Sequence, residues 1–279
     1  MIKAHNSKPN AQGFRRLTLG LGIWVLGLSV IAAGCAARRI SLPADPGGPL
    51  PDFAGIYRQA SAACSGVRTL TAELGLSGRA GGRALRGRAI VGFERPGAIR
   101  LEGVAPFGPP AFVLAGRGAT ATLLLPRDNR VLRDTRADQI LGALTGVALS
   151  PADLLAVLTG CVAAMPTASA GRLHQNGWAS VDLGGDATVF LARVGAGWQP
   201  RAARRPGWQI EYPRWQGAFP EIVRLQSIDP KVNVDLSATV SQLEANVPVD
   251  PAAFTVAVPT EMLSMTLDEL RDAGPLRTQ

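Results

Sequence analysis

From Val67 onward the apolar residues of this chain recur at every second position. Leu70, Ala72, Leu74 and Leu76 alternate with Thr69, Thr71, Glu73 and Gly75. A period of two puts one set of side chains on each face of an extended strand. Gly81-Gly82 marks a turn, and residues 84–94 repeat the pattern with Leu85, Gly87, Ala89, Val91 and Phe93 on one side. Arg95-Pro96-Gly97 turns again. Short strands follow over 99–104, 111–115, 120–125 and 130–133, with Gly or Pro breaks between them. After one interruption, strands resume over 172–175, 178–183, 187–194, 207–212, 222–228 and 231–242. Hairpin spacing of this kind predicts an antiparallel meander, and a meander this long must curl or split.

The interruption reads as two helices. Residues 137–145 carry Ile140, Leu141 and Leu144 on one face. Residues 151–160 follow Ser150 as N-cap and Pro151 at the first helical position, then present Leu154, Leu155 and Leu158. A curled sheet has a concave face, and two apolar helices must bury their faces somewhere. The concavity is the expected place, with the helices as a lid. Upstream, Phe53, Ile56, Tyr57 and Ala60 fit a short amphipathic helix, with Pro51 and Asp52 as start signals.

The amino terminus has a different character. Lys3, Lys8, Arg15 and Arg16 precede an apolar run from Leu17 to Ala33, which closes on Ala32-Ala33-Gly34-Cys35. Positive front, apolar middle and small residues are the parts of a secretory signal. A Cys directly after them resembles the lipobox of bacterial lipoproteins, with Ala32 in place of the commoner Leu. The resemblance implies cleavage before Cys35 and acylation of its thiol. A plain transmembrane anchor is the alternative, at the short end of the spanning length. The expected organisation is signal 1–34, lipidated Cys and Pro/Gly-rich tether 35–51, folded domain 52–259, and a tail 260–279 with a short helix. The tether would hold the domain some tens of ångströms from a membrane. Cleavage leaves 279 − 34 = 245 residues and lowers the net charge from +8 to about +4, because four cations leave with the signal. Nucleic acid is a poor partner for such a chain. The run Arg201, Arg204, Arg205 and Arg214 is either a solvated face or a contact for anionic headgroups.

Beyond Cys35 the chain has two cysteines, Cys64 and Cys161, which form either one disulfide in an oxidising compartment or two buried thiols. His174 is the one histidine outside the signal. The sequence has no Cys/His metal spacing, no Gly-x-Ser-x-Gly and no phosphate-cradling Gly loop. The carboxylates are scattered. These features argue for binding rather than catalysis, with no metal and no cofactor.

Three segments carry a wider resemblance. They are Ala98-Ile99-Arg100-Leu101 with Ala105-Pro106-Phe107-Gly108, then Asp138-Gln139-Ile140-Leu141-Gly142-Ala143-Leu144-Thr145-Gly146, then residues 154–160. Together they resemble the LolB-like outer-membrane lipoprotein receptors. The closing Asn246-Val247-Pro248-Val249-Asp250, Phe254 and Pro259 look like the end of the broader LolA/LolB-like lipoprotein-localisation superfamily. The resemblance implies a half-open antiparallel β-barrel of about eleven strands enclosing a helical lid over an apolar cavity. It implies a monomer, lipid-anchored to the bacterial outer membrane and facing the periplasm. Its partners would be the acyl chains of other lipoproteins, a periplasmic carrier and the inner leaflet of the outer membrane. Ala36, next to Cys35, is compatible with outer-membrane sorting. An envelope sensor or scaffold of the same fold is the alternative role.

The resemblance also implies two residue roles. An Arg-Pro step, here Arg95-Pro96, contacts the lid; the plainer reading is an exposed turn charge. An apolar residue at a Pro-x-Gly step, here Pro106-Phe107-Gly108, protrudes to insert cargo into membrane; the plainer reading folds Phe107 back into the core. For the anchor, Cys35→Ser is expected to leave an uncleaved precursor in the inner membrane. Radiolabelled palmitate on that variant would rule the assignment out.

Overall fold

The computed structural model describes residues 39–164 and 166–273. Its chain order is β1 (Gly48–Pro49), α1 (Phe53–Ser65), β2 (Thr69–Ala80), β3 (Arg83–Glu94), β4 (Ala98–Val104), β5 (Phe112–Arg117), β6 (Thr120–Leu125) and β7 (Arg130–Thr135). Then come α2 (Ala137–Thr145), α3 (Pro151–Thr159), β8 (Ala168–Leu173), β9 (Ala179–Leu183), β10 (Ala187–Val194), β11 (Gly197–Arg205), β12 (Trp208–Gln216), β13 (Phe219–Ser227) and β14 (Asp235–Ala245). The chain closes with β15 (Leu263–Ser264) and α4 (Leu267–Ala273).

All these strands lie in one sheet, in the order β1-β8-β9-β10-β11-β12-β13-β14-β2-β3-β4-β5-β6-β7-β15. Two meanders, β2–β7 and β8–β14, therefore share a junction. At that junction β14 pairs antiparallel with β2, from Asp235 opposite Arg79 to Ala245 opposite Leu70. The strands consecutive in the chain, β7 and β8, end up towards opposite edges. The segment between them must cross the width of the sheet, and α2 and α3 make that crossing. Their apolar residues go into the sheet's core: Ile140, Leu144 and Leu155 are almost wholly buried against residues such as Leu70, Ile99, Leu114 and Leu123. Each such side chain contributes about 1.5–3 kcal/mol of burial.

The expected half-open barrel of about eleven strands needs correction. Among the described residues the sheet has fifteen strands and stays open, with β1 and β15 at its edges. β1 and β15 are two residues each, too short for any pattern. β11 carries Pro200 and the arginine run, which broke the alternation. A register shift at Phe190/Leu191 lets Pro200 pair opposite Leu191, and Trp198, Ala202 and Ala203 are buried. The sheet is also not purely antiparallel, because β15 runs parallel to β7.

The segment read as a free tether is also different. From residue 40 it is held to the sheet. The Ile40 N–H donates to the Glu211 carboxylate at 3.5 Å. Asp45 accepts the Gln175 N–H at 3.2 Å and its carbonyl lies 3.1 Å from His174 Nδ1. His174 Nε2 in turn meets Ser180 Oγ at 2.9 Å. Gly48 and Pro49 pair with Leu173 and Arg172. Pro and Gly prevent a helix here, but they leave carbonyls and carboxylates to bond outward. The chain then turns onto the other face as α1, which packs on β8 and β11. Gly171 permits that approach: a Cβ there would run into the Phe53 side chain. Cys35, the signal and residues 274–279 lie outside the described residues.

Cys64, in the last turn of α1, and Cys161, just after α3, form a disulfide with Cα atoms 5.6 Å apart across a separation of 97 residues. Of the two readings open in the sequence, this is the bridge rather than two thiols. Replacing both residues by Ser is expected to cost about 2–5 kcal/mol in denaturant titrations. Dithiothreitol should shift the native protein's midpoint by a similar amount and leave the double variant unchanged.

Candidate functional site

An apolar cavity of about 130 Å³ lies between the sheet and the two crossing helices. Its floor is built at the meander junction, by Leu74 and Leu76 of β2, Leu85 and Ala89 of β3, Leu225 of β13 and Leu236 of β14. Strand alternation aims these residues at the same face. Its roof is Leu141 and Leu144 of α2 with Leu154, Val157 and Leu158 of α3. Two of the six predicted lid residues are not in that roof: Ile140 and Leu155 turn into the core, at 0% and 2% exposure. The polar side chains at the cavity are Thr145 and Ser237. The Thr145 hydroxyl already donates to the Leu141 carbonyl at 2.7 Å. Among the described residues, no His/Cys/Asp/Glu group is placed to hold a metal.

Size decides what this cavity can hold as it stands. An engineered cavity of about 150 Å³ takes one benzene, and ordinary ligand pockets run to about 300–1,000 Å³. A lipid acyl chain is several times longer than one ring. A cavity of this size has no room for a whole acyl chain unless its roof moves.

The two halves of the roof are held very differently. Ser150 caps α3 by accepting the Asp153 N–H at 3.1 Å. The Asp153 carboxylate accepts the Ala164 N–H at 3.2 Å and pairs with Arg205 of β11 at 3.2 Å. Arg205 also donates to the Val162 carbonyl at 3.0 Å. The disulfide adds a covalent tie beside Gly160, and the Tyr57 hydroxyl donates to the Cys161 carbonyl at 3.4 Å. Burial pushes the Tyr57 pKa up to about 12, so it stays a donor at any physiological pH. By contrast, among the described residues no side-chain hydrogen bond or ion pair ties α2 to the sheet. Its first turn makes only the local Arg136–Asp138 pair at 2.7 Å, which holds the Asp138 carboxyl below its usual range. It ends at Gly146 with φ +75°, a left-handed stop that suits glycine. Packing alone seats α2, against the sheet and against α4.

Arg95 makes its hydrogen bonds at the α1–β2 connection. Its Nε donates to the Val67 carbonyl at 2.7 Å, and its N–H to the Arg68 carbonyl at 2.9 Å. It braces β3 against the α1–β2 connection, because β3 ends under the carboxyl end of α1. Among the described residues it makes no hydrogen bond or ion pair to α2 or α3.

Phe107 stands out from the surface at 88% exposure. The Ala111 N–H closes the base of its loop on the Gly103 carbonyl at 2.9 Å. Arg127 donates to the Phe107 carbonyl at 2.9 Å. Pro106, Pro109 and Pro110 stiffen the rest. Gly108 takes φ +77°. The fold-back reading is excluded for this form of the protein.

The Asp153–Arg205 latch was missed in the sequence. Ser150-x-x-Asp153 was a visible cap, but Arg205 was grouped with its basic neighbours as a surface charge. It is instead four-fifths buried at the side chain. Arg214 is also paired, with Glu221 at 2.5 Å.

No family model matches this sequence, and no curated protein is similar to it. Several solved structures superpose on parts of this chain at low sequence identity. A LolA superfamily protein from Nitrosomonas europaea superposes with a TM-score of 0.49 at 11% identity, over 73% of this chain and 97% of that one. A DUF1329 family protein from Desulfovibrio piger gives 0.42 at 12% identity, over 74% and 97%. Lipoprotein LppX from Mycobacterium tuberculosis gives 0.29 at 15% identity, over 72% and 99%. Likeness of this degree decides nothing about what the chain binds.

If the cavity is the binding site, filling it should block binding without harming the fold. Ala89→Leu projects from the floor into free space. It is expected to weaken uptake of a fluorescent fatty acid by about tenfold, or about 1.4 kcal/mol. Its unfolding midpoint should stay at or above that of the native protein.

Proposed function

We propose that this chain is a lipid-anchored envelope protein that receives the acyl chains of other lipoproteins and passes them to the inner leaflet of the outer membrane. The observation that carries this reading is the largely apolar floor and roof, closed by two helices of which only one is fastened. Acyl chains cannot cross water bare, since each buried CH₂ is worth about 0.8 kcal/mol. A receptor must match that stabilisation while bound and then give it up. Outward movement of α2 over a fixed α3 opens an apolar slot of variable width. Its return re-forms the small cavity and expels the chain.

The remaining parts have natural places in this reading. Cys35 is the lipid anchor. The cargo comes from a periplasmic carrier, and Phe107 enters the bilayer interface during release. The polar side chains of the cavity lining are two hydroxyls, Thr145 and Ser237, and we read the cavity as a binding site. A LolB-like receptor is the closest description of this set of features.

Phe107→Glu separates the steps. The variant is expected to take lipoprotein from its carrier at the native rate and to fail to deposit it in vesicles, with transfer lowered by tenfold or more. Loss of acceptance as well as delivery would overturn the assigned role of Phe107. Unimpaired delivery would overturn it too. If the native chain neither accepts nor delivers, the sensor or scaffold role replaces transport.

A further inference from the structure

Four features converge at the strand ends around Gly81-Gly82. The β2–β3 ladder continues to Ala80 opposite Arg83, but β4 leaves β3 at the Arg88–Val104 pair. The β2–β3 hairpin therefore extends beyond β4, and the Phe107 loop leaves the sheet beside its free stretch. On the other side of the hairpin lies the β13–β14 loop: a Cβ on Gly82 would meet the Asn233 side chain at 3.7 Å.

The charge of this rim is unbalanced. Arg79, Arg83, Arg86 and Lys231 are exposed, and among the described residues none makes an ion pair. Nearby, Asp235 is paired with Arg224 at 2.6 Å. Asp229 folds back to accept the Lys231 N–H at 2.9 Å. Large apolar side chains are interleaved with the cations: Phe107 at 88% exposure, Ile228 at 53% and Val232 at 40%.

The cavity faces the same way. Its half-buried wall residues include Leu76, Leu225, Leu236 and Ser237, all within a few positions of these strand ends. The leash is also short. The chain is already held at Glu211 by Ile40. Ile40 lies only five residue steps after Cys35, and five steps span at most about 17 Å.

We infer that this rim is a bilayer-docking surface for anionic lipid headgroups, which sets the cavity mouth against the membrane. Arg and Lys beside exposed aromatic and aliphatic side chains match phosphate at the headgroup level and acyl chain just below it. The inference rests on the proposed anchorage through Cys35, and it adds the orientation and the lipid class.

The test uses the full-length lipidated protein in vesicles, without cargo. Ala84→Cys, at an exposed site on the hairpin, carries an environment-sensitive dye. With phosphatidylglycerol present, the emission is expected to shift to the blue, and to revert in high salt. With phosphatidylcholine alone it should stay unshifted. In the R79Q/R83Q/R86Q background the docked population should fall about fivefold per arginine, from about 1 kcal/mol each. These sites are exposed, and an unchanged unfolding midpoint checks the fold; Lys231→Gln is the second variant. Equal emission in both lipids, no shift in either, or a shift that survives the triple replacement would overturn the inference. Cargo transfer is not read here, so failure of delivery and failure of docking remain separate results.

Discussion

The pairing of β14 with β2 governs the rest of this molecule. It joins the last long strand to the first and so converts two meanders into one sheet. With that junction made, β7 and β8 lie far apart, and residues 136–167 have a long way to travel. A polar linker could make the crossing, but this one carries Ile140, Leu141, Leu144, Leu155 and Leu158. These residues draw the crossing onto the apolar face. The cavity is what remains where two helices, with ridges of their own, fail to fill the space over the junction.

The same crossing is fastened unevenly, and the unevenness has a chemical basis. α3 ends in a covalent bridge and begins with a carboxylate that meets a guanidinium in a partly desolvated position. Removing either partner would leave a poorly solvated charge, so the arrangement resists opening. α2 relies on dispersion and burial, which are non-directional and can be re-formed after a displacement. A lipid chain supplies contacts of the same kind as those α2 gives up. In the role proposed above, exchange of one for the other would be nearly balanced.

Much of this was legible in the sequence. Alternation at Leu70–Leu76 and at Leu85–Phe93 located β2 and β3 because both strands have one apolar and one wet face. Ser150 and Pro151 located the start of α3. β11 was hidden because Pro200 and three arginines occupy it, and its partners tolerate them only through a bulge. The contacts of Ile40 and Asp45 were hidden for another reason: a chain rich in Pro and Gly shows no period even when its polar groups are fully engaged. Leu154 and Leu155 looked equivalent on a helical projection, yet one lines the cavity and the other the core. Only the direction from which β13 approaches separates such neighbours.

The disulfide has a consequence for the order of assembly. Its loop encloses β2 to β7 and both crossing helices, but not β8 to β14. A chain threaded amino-terminus first into an oxidising compartment holds both cysteines there before the second meander has emerged. Until β14 arrives, one side of β2 is an unpaired edge of 12 residues, a template for mispairing with any extended chain nearby. Junctions between distant segments also form slowly. For the exported protein proposed above, the vulnerable interval is therefore its delivery across the first membrane, when β2 waits for a partner that has yet to emerge.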